Sequence, residues 1–207
     1  MKTVYKKKIA ITGSSGLLGS YFCKKFRKQY KILKYPHRIE KIDKFNKWIT
    51  SKKFDYFIHF AGITRGTSSK LNKINYDASI NIIRSLKKNK KLKFFLFIST
   101  SHVYGYSNKK INEELKTRPI NKYGLSKKKT EDFIIKNRNK FKFKIGIARI
   151  FNVTGPAQRS GYFVSDIFKL IPKKKYIDNI NCYRDFIHID DIMDSIKIII
   201  SKQFEKT

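Results

Sequence analysis

Short apolar runs alternate with longer amphipathic segments along the whole chain, with no internal repeat and no linker rich in Gly, Ser or Pro. The short runs are rich in Ile, Phe and Tyr, which is typical of buried strands, and the longer segments have the apolar spacing of helices. Strands are predicted at Lys8–Thr12, Tyr30–Tyr35, Asp55–Phe60, Phe94–Ser99 and Lys144–Ile150. Helices are predicted at Leu17–Lys28, Asp43–Ser51, Lys73–Lys88 and Lys122–Asn137.

This alternation of strands and helices predicts an α/β fold. Right-handed crossovers between successive strands place them in a parallel sheet, with helices covering both faces. The 207 residues are enough for one domain with a substantial core, or for one domain with a small appendage. Ligands of such sheets bind at the carboxyl ends of the strands, so polar residues at those ends are the candidates for function.

The net charge of +33, from 48 Lys and Arg against 15 Asp and Glu, indicates a strongly basic surface. Nucleic-acid-binding proteins have such charges, but here the lysines are spread in short runs, with no basic tail and no aromatic-rich stripe. The excess of Ile, Asn, Phe and Tyr indicates a compositional bias of the coding sequence. We therefore expect no specific nucleic-acid function, but a weak attraction for polyanions and for substrates that carry phosphate.

Secretion, membrane insertion and disulfide formation are not expected. The apolar run Ile9–Ile11 is too short for a signal peptide, and the runs elsewhere, such as Ile196–Ile200, are far shorter than a membrane span. Cys23 and Cys182 lie far apart without CxxC or metal-ligand spacing, so we expect free thiols and no metal site. These features favour a soluble protein of the cytoplasm.

A glycine-rich turn, ITGSSGLLG at residues 11–19, follows the first predicted strand. Between a strand and a helix, such glycines let the backbone approach a pyrophosphate and direct the amides of the helix N-terminus towards it. The residues predicted to bind a dinucleotide there are Gly13, Ser14, Ser15, Gly16, Leu17 and Gly19. The alternative is a glycine-rich turn that only packs.

The residues after the second predicted strand bear on the choice between NAD and NADP. An acid about 20 residues beyond the glycine turn favours NAD, because it binds the ribose 2′-hydroxyl. Here the stretch from Lys34 to Arg38 has no acid before Glu40. We expect His37 and Arg38 to bind the 2′-phosphate of NADP, with ordinary loop charges as the alternative.

Tyr123 and Lys127, in the segment NKYGLSK, are four residues apart and share one face of the predicted helix. A phenol loses its proton near pH 10, and a neighbouring ammonium stabilises the phenolate, so the tyrosine becomes an acid or base near neutrality. The alternative is a chance pair, because the chain is rich in lysine.

Five motifs in register point to a family: TGSSGLLG, FISTSHVYG followed by Glu113 and Glu114, YGLSK, RIFNVTGP and YRDFIHIDDI. From about Lys8 to Ile200 the chain resembles the extended short-chain dehydrogenase/reductases, and more narrowly the NAD(P)-dependent epimerase/dehydratase group that acts on nucleotide sugars. The resemblance implies a Rossmann-like doubly wound parallel sheet and a cofactor, NADP in preference or NAD. It also implies a homodimer through the helices at 73–88 and 122–137.

The same resemblance assigns catalytic roles at the end of the fourth predicted strand. Thr100 would orient the sugar hydroxyl, Tyr123 would remove or return its proton as hydride passes, and Lys127 would bind the nicotinamide ribose and lower the tyrosine pKa. The related 4,6-dehydratases have an acidic pair where this chain has Ser101 and His102, which argues against a standard dehydratase. In the related epimerase/reductases that make fucose nucleotides, the position of His102 is a cysteine that abstracts a ring proton. An imidazole could do this work, with an inert hydrogen-bonded histidine as the alternative.

Further binding residues follow from the other motifs. Asn152 matches a residue that contacts the substrate diphosphate, and Arg184 matches a phosphate-binding arginine. Their alternatives are a capping asparagine in a turn and a structural salt bridge to Asp185 or Asp190. Ala61 and Gly62 would bring the backbone beside the cofactor because they are small. In the same motif we expect His59 to be a hydrogen-bonded core residue.

The resemblance divides the chain into an NAD(P)-binding Rossmann domain, 1–150, and a partial substrate-binding region, 151–207. The sequence stops soon after the predicted RDFIHIDD helix, where family members continue, so we expect a short and incomplete C-terminal substrate lobe. Two functions are then open. The first is a nucleotide-sugar epimerase or 4-keto reductase, and the second is a catalytically impaired, truncated NADP-binding or partner protein of the same fold.

Overall fold

A parallel sheet lies at the centre of the residues described by the computed structural model, which are 6–156, 158, 163–173 and 184–203. Within these ranges the sheet has five strands in the order β2-β1-β3-β4-β5, and every pairing is parallel. The strands are β1 (Lys8–Thr12), β2 (Lys31–Lys34), β3 (Tyr56–His59), β4 (Phe94–Thr100) and β5 (Lys144–Ile150). The predicted doubly wound Rossmann-like sheet is confirmed.

Helices cover both faces of this sheet. They are α1 (Leu17–Phe26), α2 (Ile42–Ser51), α3 (Ser68–Leu71), α4 (Ser79–Ser85), α5 (Lys122–Asn137), α6 (Phe163–Leu170) and α7 (Ile189–Lys202). Apolar residues of α1 and α7 pack on one face, and those of α2, α4 and α5 pack on the other. Each crossover therefore buries the apolar stripe of its helix against the sheet.

Strand β4 illustrates why these segments read as continuous apolar runs. All seven of its residues are buried. Phe94, Leu96 and Ile98 contact the layer of α1 and α7, whereas Phe95 and Phe97 contact the opposite layer. Since successive side chains of a strand point to opposite faces, a strand covered on both sides must be apolar at every position.

The observed bounds differ from the predicted ones where the apolar pattern is least informative. Strand β4 extends through Thr100, one residue past its predicted end. The helical segment predicted to begin at Lys73 begins at Ser68, and its middle, Asn72–Ala78, is a π-helix between α3 and α4. Polar residues at a helix start and one extra residue in a helical turn leave no signature in apolar spacing.

The described part of the predicted substrate region contributes both a small sheet and a helix of the main core. Strands β6 (Asn152–Thr154) and β7 (Phe186–His188) pair in parallel. Helix α7 packs against the main sheet through its buried residues, among them Ile192 and Met193. The boundary at residue 150 stays a prediction. Cys182 lies outside the described residues, whereas Cys23 is a buried free thiol.

The described ranges contain neither a helix suited to crossing a membrane nor a cluster of metal-ligating side chains. None of their helices combines the length and the apolar character that crossing a lipid bilayer requires. Nor do these ranges contain three or more His, Cys, Asp or Glu side chains grouped closely enough to hold a metal ion.

Candidate active site

The carboxyl ends of β1, β3 and β4 bring the predicted functional segments to one edge of the sheet. The chain reverses its direction across the sheet between β1 and β3, because β2 lies on one side of β1 and β3 on the other. In open parallel sheets this crevice is where ligands bind. The loops after β1 and β3 are the glycine-rich turn and the Ala61-Gly62 segment, so the structure places both beside the crevice.

Backbone contacts in the glycine turn explain two of its glycines. Gly13 has a φ of 71°, and a Cβ there would lie 2.6 Å from the backbone nitrogen of Ala61. A Cβ on Gly19 would lie 2.2 Å from the carbonyl oxygen of Gly13, so helix α1 starts in direct contact with the turn. These approaches leave room only for hydrogen. The glycine turn and the Ala61 segment therefore form one surface, although Gly13 and Ala61 are 48 residues apart in the sequence.

The N-terminus of α1 faces the same crevice. Gly16 is its N-cap and makes no side-chain capping hydrogen bond, while its own amide donates to the Gly13 carbonyl over 3.1 Å. The first turn contains no acidic residue. Ser15 and Gly16 are exposed, and Ser14 and Leu17 are half-buried. An uncapped helix N-terminus beside a glycine turn has the polarity and the space to hold a phosphate.

The predicted cofactor-selecting residues lie beyond the carboxyl end of β2, the strand next to β1. His37 and Arg38 are both exposed. The His37 ring packs edge-on against the buried Tyr35 ring at 5.7 Å, which orients it near the end of the strand. The structure therefore places two basic side chains on the β2 side of the glycine turn.

Lys127 of α5 is buried, with a side chain that reaches the end of β3. Its Nζ lies 4.0 Å from the centroid of the Phe97 ring, and a Cβ on Gly62 would lie 4.0 Å from the same Nζ. Burial lowers the pKa of this amine from its ordinary 10.5 to about 7, although the Glu131 carboxylate acts to raise it. Lys127 thus lies where the loop after β3 meets strand β4.

Asn75, which sequence reasoning missed, holds this loop in place. Its side chain accepts a hydrogen bond from the Ile63 amide over 2.9 Å and donates to the Ile63 carbonyl over 2.8 Å and to Ser126 Oγ over 3.0 Å. Asn75 is fully buried within the π-helix. A polar residue on the apolar face of the predicted helix 73–88 was the available signal. It ties the loop after β3 to α5.

His59 is a hydrogen-bonded core residue, as expected. Its Nδ1 lies 2.7 Å from Thr12 Oγ1 and its Nε2 lies 2.9 Å from Ser79 Oγ. Burial, and secondly the charge of Lys127, lower its pKa from 6.5 to about 3. A neutral histidine with both nitrogens occupied serves packing and hydrogen bonding.

The end of β4 and the start of α5 meet around Thr100 and Tyr123. Thr100 is buried, and its Oγ1 accepts a hydrogen bond from the His102 amide over 3.3 Å. The His102 ring packs edge-on against the half-buried Tyr123 ring at 5.6 Å. A Cβ on Gly124 would lie 2.4 Å from the His102 carbonyl oxygen, so only glycine lets the helix approach this closely. Thr100, His102 and Tyr123 therefore lie together, and their catalytic roles stay predictions.

Asn121 determines which nitrogen of His102 carries the proton. The Asn121 Oδ1 accepts from the Gly124 amide over 2.7 Å, so its Nδ2 is the atom facing His102 Nδ1, at 2.8 Å. Since that Nδ2 donates, Nδ1 accepts, and the proton of the neutral ring is on Nε2. Burial, and secondly the charge of Arg184, lower the pKa of His102 and favour the neutral ring.

The two predicted phosphate-binding residues differ in their surroundings. Asn152 donates from Nδ2 to the Asp185 carbonyl over 3.0 Å, which links β6 to the segment before β7. Contact of Asn152 with a substrate diphosphate stays a prediction. Arg184 is exposed, and its charge acts on His102, so it lies on the side of the site where β4 ends. Asp190, which was raised as a possible salt-bridge partner of Arg184, forms an ion pair with Lys25 at 2.9 Å.

Ser99 and two further residues form a polar cluster that the sequence did not indicate. The Ser99 hydroxyl donates to the Glu131 carboxylate of α5. Glu131 is fully buried and forms an ion pair with Arg149 of β5, at 2.8 Å. A buried Glu one helical turn after Lys127 was the available signal.

The chain is similar to known proteins along most of its length. GDP-6-deoxy-D-talose 4-dehydrogenase of Aggregatibacter actinomycetemcomitans is 29% identical over 214 residues, which cover 96% of this chain and 71% of that protein. A Pseudomonas aeruginosa structure, RMD complexed with NADPH, superposes with a TM-score of 0.84 at 24% identity, covering 95% of this chain and 74% of that one. UDP-glucuronic acid 4-epimerase from Bacillus cereus in complex with NAD has a TM-score of 0.83 at 24% identity, covering 94% and 72%.

The sequence model of one family matches almost the whole chain. It is described as the NAD dependent epimerase/dehydratase family, and the match runs over residues 9–207. That range includes the glycine turn, the Thr100 strand end and the Tyr123 helix described above. The two solved structures show that the same fold spans more than nine-tenths of this chain. The chain therefore belongs to the NAD dependent epimerase/dehydratase family.

Proposed function

We propose that this protein is an NAD(P)-dependent epimerase or 4-keto reductase that transfers hydride at a carbon of a nucleotide-bound sugar. One observation carries the proposal: Tyr123 and Lys127 of α5 lie against the end of β4, with Tyr123 in contact with His102 and Lys127 beside Gly62. A phenol and an ammonium at the mouth of a dinucleotide crevice are the groups needed to move a hydroxyl proton.

The residues present fit a nicotinamide dinucleotide. Gly13 and Gly19 have no room for a side chain, so the glycine turn packs closely against α1. The uncapped amides at the N-terminus of α1 suit a pyrophosphate. The loop of Ala61 and Gly62 passes beside Lys127, the residue that would bind the ribose. When bound, the nicotinamide supplies the hydride chemistry.

Acid–base catalysis falls to Tyr123. The hydroxyl of Thr100 orients the sugar hydroxyl, and the Tyr123 phenol takes or returns its proton. Lys127 stabilises the phenolate when its ammonium form is present, and it binds the ribose hydroxyls of the cofactor. Because its pKa of about 7 lies near neutrality, small changes in pH alter the protonation of Lys127, and cofactor binding changes the surroundings that set this pKa.

His102 fits the role of a hydrogen-bond donor to substrate. Its Nδ1 is occupied by Asn121, and Nε2 carries the proton of the neutral ring. A neutral ring in this tautomer donates from Nε2, whereas abstraction of a ring proton would first require the tautomer to change. His102 as the base of an epimerisation is the alternative. Arg184, exposed on the same side, would bind a substrate phosphate.

The relatives support the substrate class and the position of reaction. Both the talose 4-dehydrogenase and the glucuronic acid 4-epimerase are named for chemistry at carbon 4 of a nucleotide-bound sugar. NADP is our preferred cofactor, because His37 and Arg38 are exposed beyond β2. A homodimer through residues 73–88 and 122–137 stays a prediction, supported by the exposed apolar side chains Leu125 and Ile135 of α5.

Two measurements test this function. Nicotinamide fluorescence on titration with NADPH and NADH, at salt that screens the +33 charge, should show binding with NADPH preferred. Tyr123→Phe should then lower turnover of a nucleotide sugar by roughly 10²–10⁴-fold with cofactor affinity retained.

The matched control is Tyr106→Phe, since that tyrosine is 91% exposed and lies outside the site. It should leave turnover unchanged. Turnover that survives Tyr123→Phe undiminished would exclude the proposed chemistry. Binding of neither cofactor would favour the impaired or partner protein instead.

A further inference from the structure

Four buried or half-buried side chains form one polar cluster behind the candidate site. Both oxygens of the Glu131 carboxylate accept from Arg149: Oε2 lies 3.1 Å from Nε and 2.8 Å from Nη2, and Oε1 lies 3.3 Å from Nε. One of them also accepts from the Ser99 hydroxyl. Arg149 Nη1 donates to the Tyr104 hydroxyl over 2.9 Å. We define these four, Ser99, Tyr104, Glu131 and Arg149, as the Glu131 cluster.

The Glu131 cluster connects the segments that carry the proposed catalytic groups. Ser99 directly precedes Thr100, and Glu131 lies one helical turn after Lys127. Arg149 pairs in register with Ser99 across β4 and β5. Tyr104 ends the short turn that contains His102. One carboxylate therefore fixes α5, the helix of Tyr123 and Lys127, against two neighbouring strands, within a few residues of Thr100 and His102.

A buried ion pair of this kind contributes geometry more than stability. The Glu131 side chain is fully buried and that of Arg149 is 10% exposed, so both ions have lost most of their hydration. Their attraction only offsets that loss, and apolar residues of similar size often stabilise a core as well. The planar, two-pronged contact of the guanidinium, however, defines distance and angle between α5 and β5.

We propose that Glu131 and Arg149 are positioning residues that hold the Tyr123 and Lys127 helix in reactive register with Thr100. This rests on the proposed function. The pair also affects the amine directly: burial lowers the pKa of Lys127, and the Glu131 charge offsets part of that lowering. The charge of Lys127 in turn acts on His59 of β3.

The first test compares neighbouring carboxylates on one helix. Glu131→Gln keeps the shape but removes the charge, while Asp132→Asn changes a 56% exposed carboxylate that pairs with Lys128. We expect Glu131→Gln to lower kcat by about 10–100-fold, the effect of a displacement of roughly 1 Å, with KM and NADPH Kd within about threefold of wild type. Asp132→Asn should change none of these.

A second variant separates positioning from folding. Glu131→Gln leaves the Arg149 charge buried and uncompensated, so the single variant loses thermal stability. The double variant Glu131→Gln/Arg149→Met removes both charges and should recover that stability while kcat stays low. Recovery of kcat together with stability would show a merely structural role and overturn the proposal.

Hydrogen exchange distinguishes this proposal from the proposed function. In Glu131→Gln we expect faster amide exchange in residues 99–104 and the first turns of α5, but not in the glycine turn, and Asp132→Asn should exchange as wild type does. If the wild type turns over no nucleotide sugar, the function is wrong, yet altered exchange at these segments would still support the positioning role. Unaltered exchange together with unaltered kcat would overturn it.

Discussion

Replacing Lys127 by methionine should stabilise the apo protein while removing its proposed activity. Lys127 is 3% exposed and its Nζ lies over the Phe97 ring at 4.0 Å. Methionine has a similar length and no charge, so the variant keeps the packing and loses the buried ammonium. Functional groups held in unfavourable surroundings commonly cost stability in this way.

The magnitude follows from the pKa of Lys127. The unfolded chain has the ordinary value of 10.5 and the folded protein about 7. Below about pH 7 both states are protonated, so the folded protein bears the whole desolvation cost, about 5 kcal/mol at most. The cation–π contact with Phe97 offsets roughly 1 kcal/mol of it. Between pH 7 and 10.5 the unfolded chain binds the additional proton, so the free energy of unfolding of the wild type rises with pH.

Urea unfolding followed by the fluorescence of Trp48, the one tryptophan of the chain, measures this difference. At pH 6 Lys127→Met should exceed the wild type by about 3–4 kcal/mol, and by pH 9 the excess should shrink by roughly 2–3 kcal/mol. Lys122→Met, which removes an exposed lysine at the start of the same helix, should show neither effect. If Lys127→Met is no more stable than wild type at pH 6, the ammonium is not desolvated and our reasoning fails.

Three further outcomes follow from the same geometry. Gly19→Ala, whose methyl group would lie 2.2 Å from a backbone carbonyl oxygen, should abolish NADPH binding and lower the melting temperature, whereas Gly16→Ala, with 3.4 Å available, should keep the wild-type melting temperature. The pKa of His59 is about 3 in the folded protein and 6.5 in the unfolded chain, so the urea midpoint of the wild type should fall as the pH drops from 6.5 to 3. His59→Gln should reduce this pH dependence, and an equal slope in both proteins would contradict the prediction. Gly124→Ala should push α5 away from the His102 carbonyl and lower kcat by about 10–100-fold with NADPH Kd unchanged, and unaltered kcat would show that the close approach is dispensable.

The central strands and the longest helix were predictable because their local pattern and tertiary role agree. Helix α5 was predicted with its observed bounds, and β1 and β5 likewise. A strand buried on both faces must be apolar throughout, and such a run can be recognised in the sequence. The two irregular features near the site, the π-helix around Asn75 and the extension of β4 through Thr100, have no such periodic sign.

The candidate site divides in the same way. The spacing within one turn or one helix face singled out Gly13, Gly19, Tyr123 and Lys127, and the family resemblance supplied their predicted roles. Asn75 was not found, since its partners at Ile63 and Ser126 come from other elements.

The sequence alone determined the order of strands and helices, the dinucleotide turn and the tyrosine–lysine pair, because each depends on residues close together in the chain. Only the tertiary structure decided the protonated nitrogen of His102, the lowered pKa of Lys127 and the pairing of Glu131 with Arg149. Each of these depends on burial and on contacts between segments far apart in sequence. Desolvation and hydrogen-bond geometry arise only when those segments pack, so no local pattern contains them.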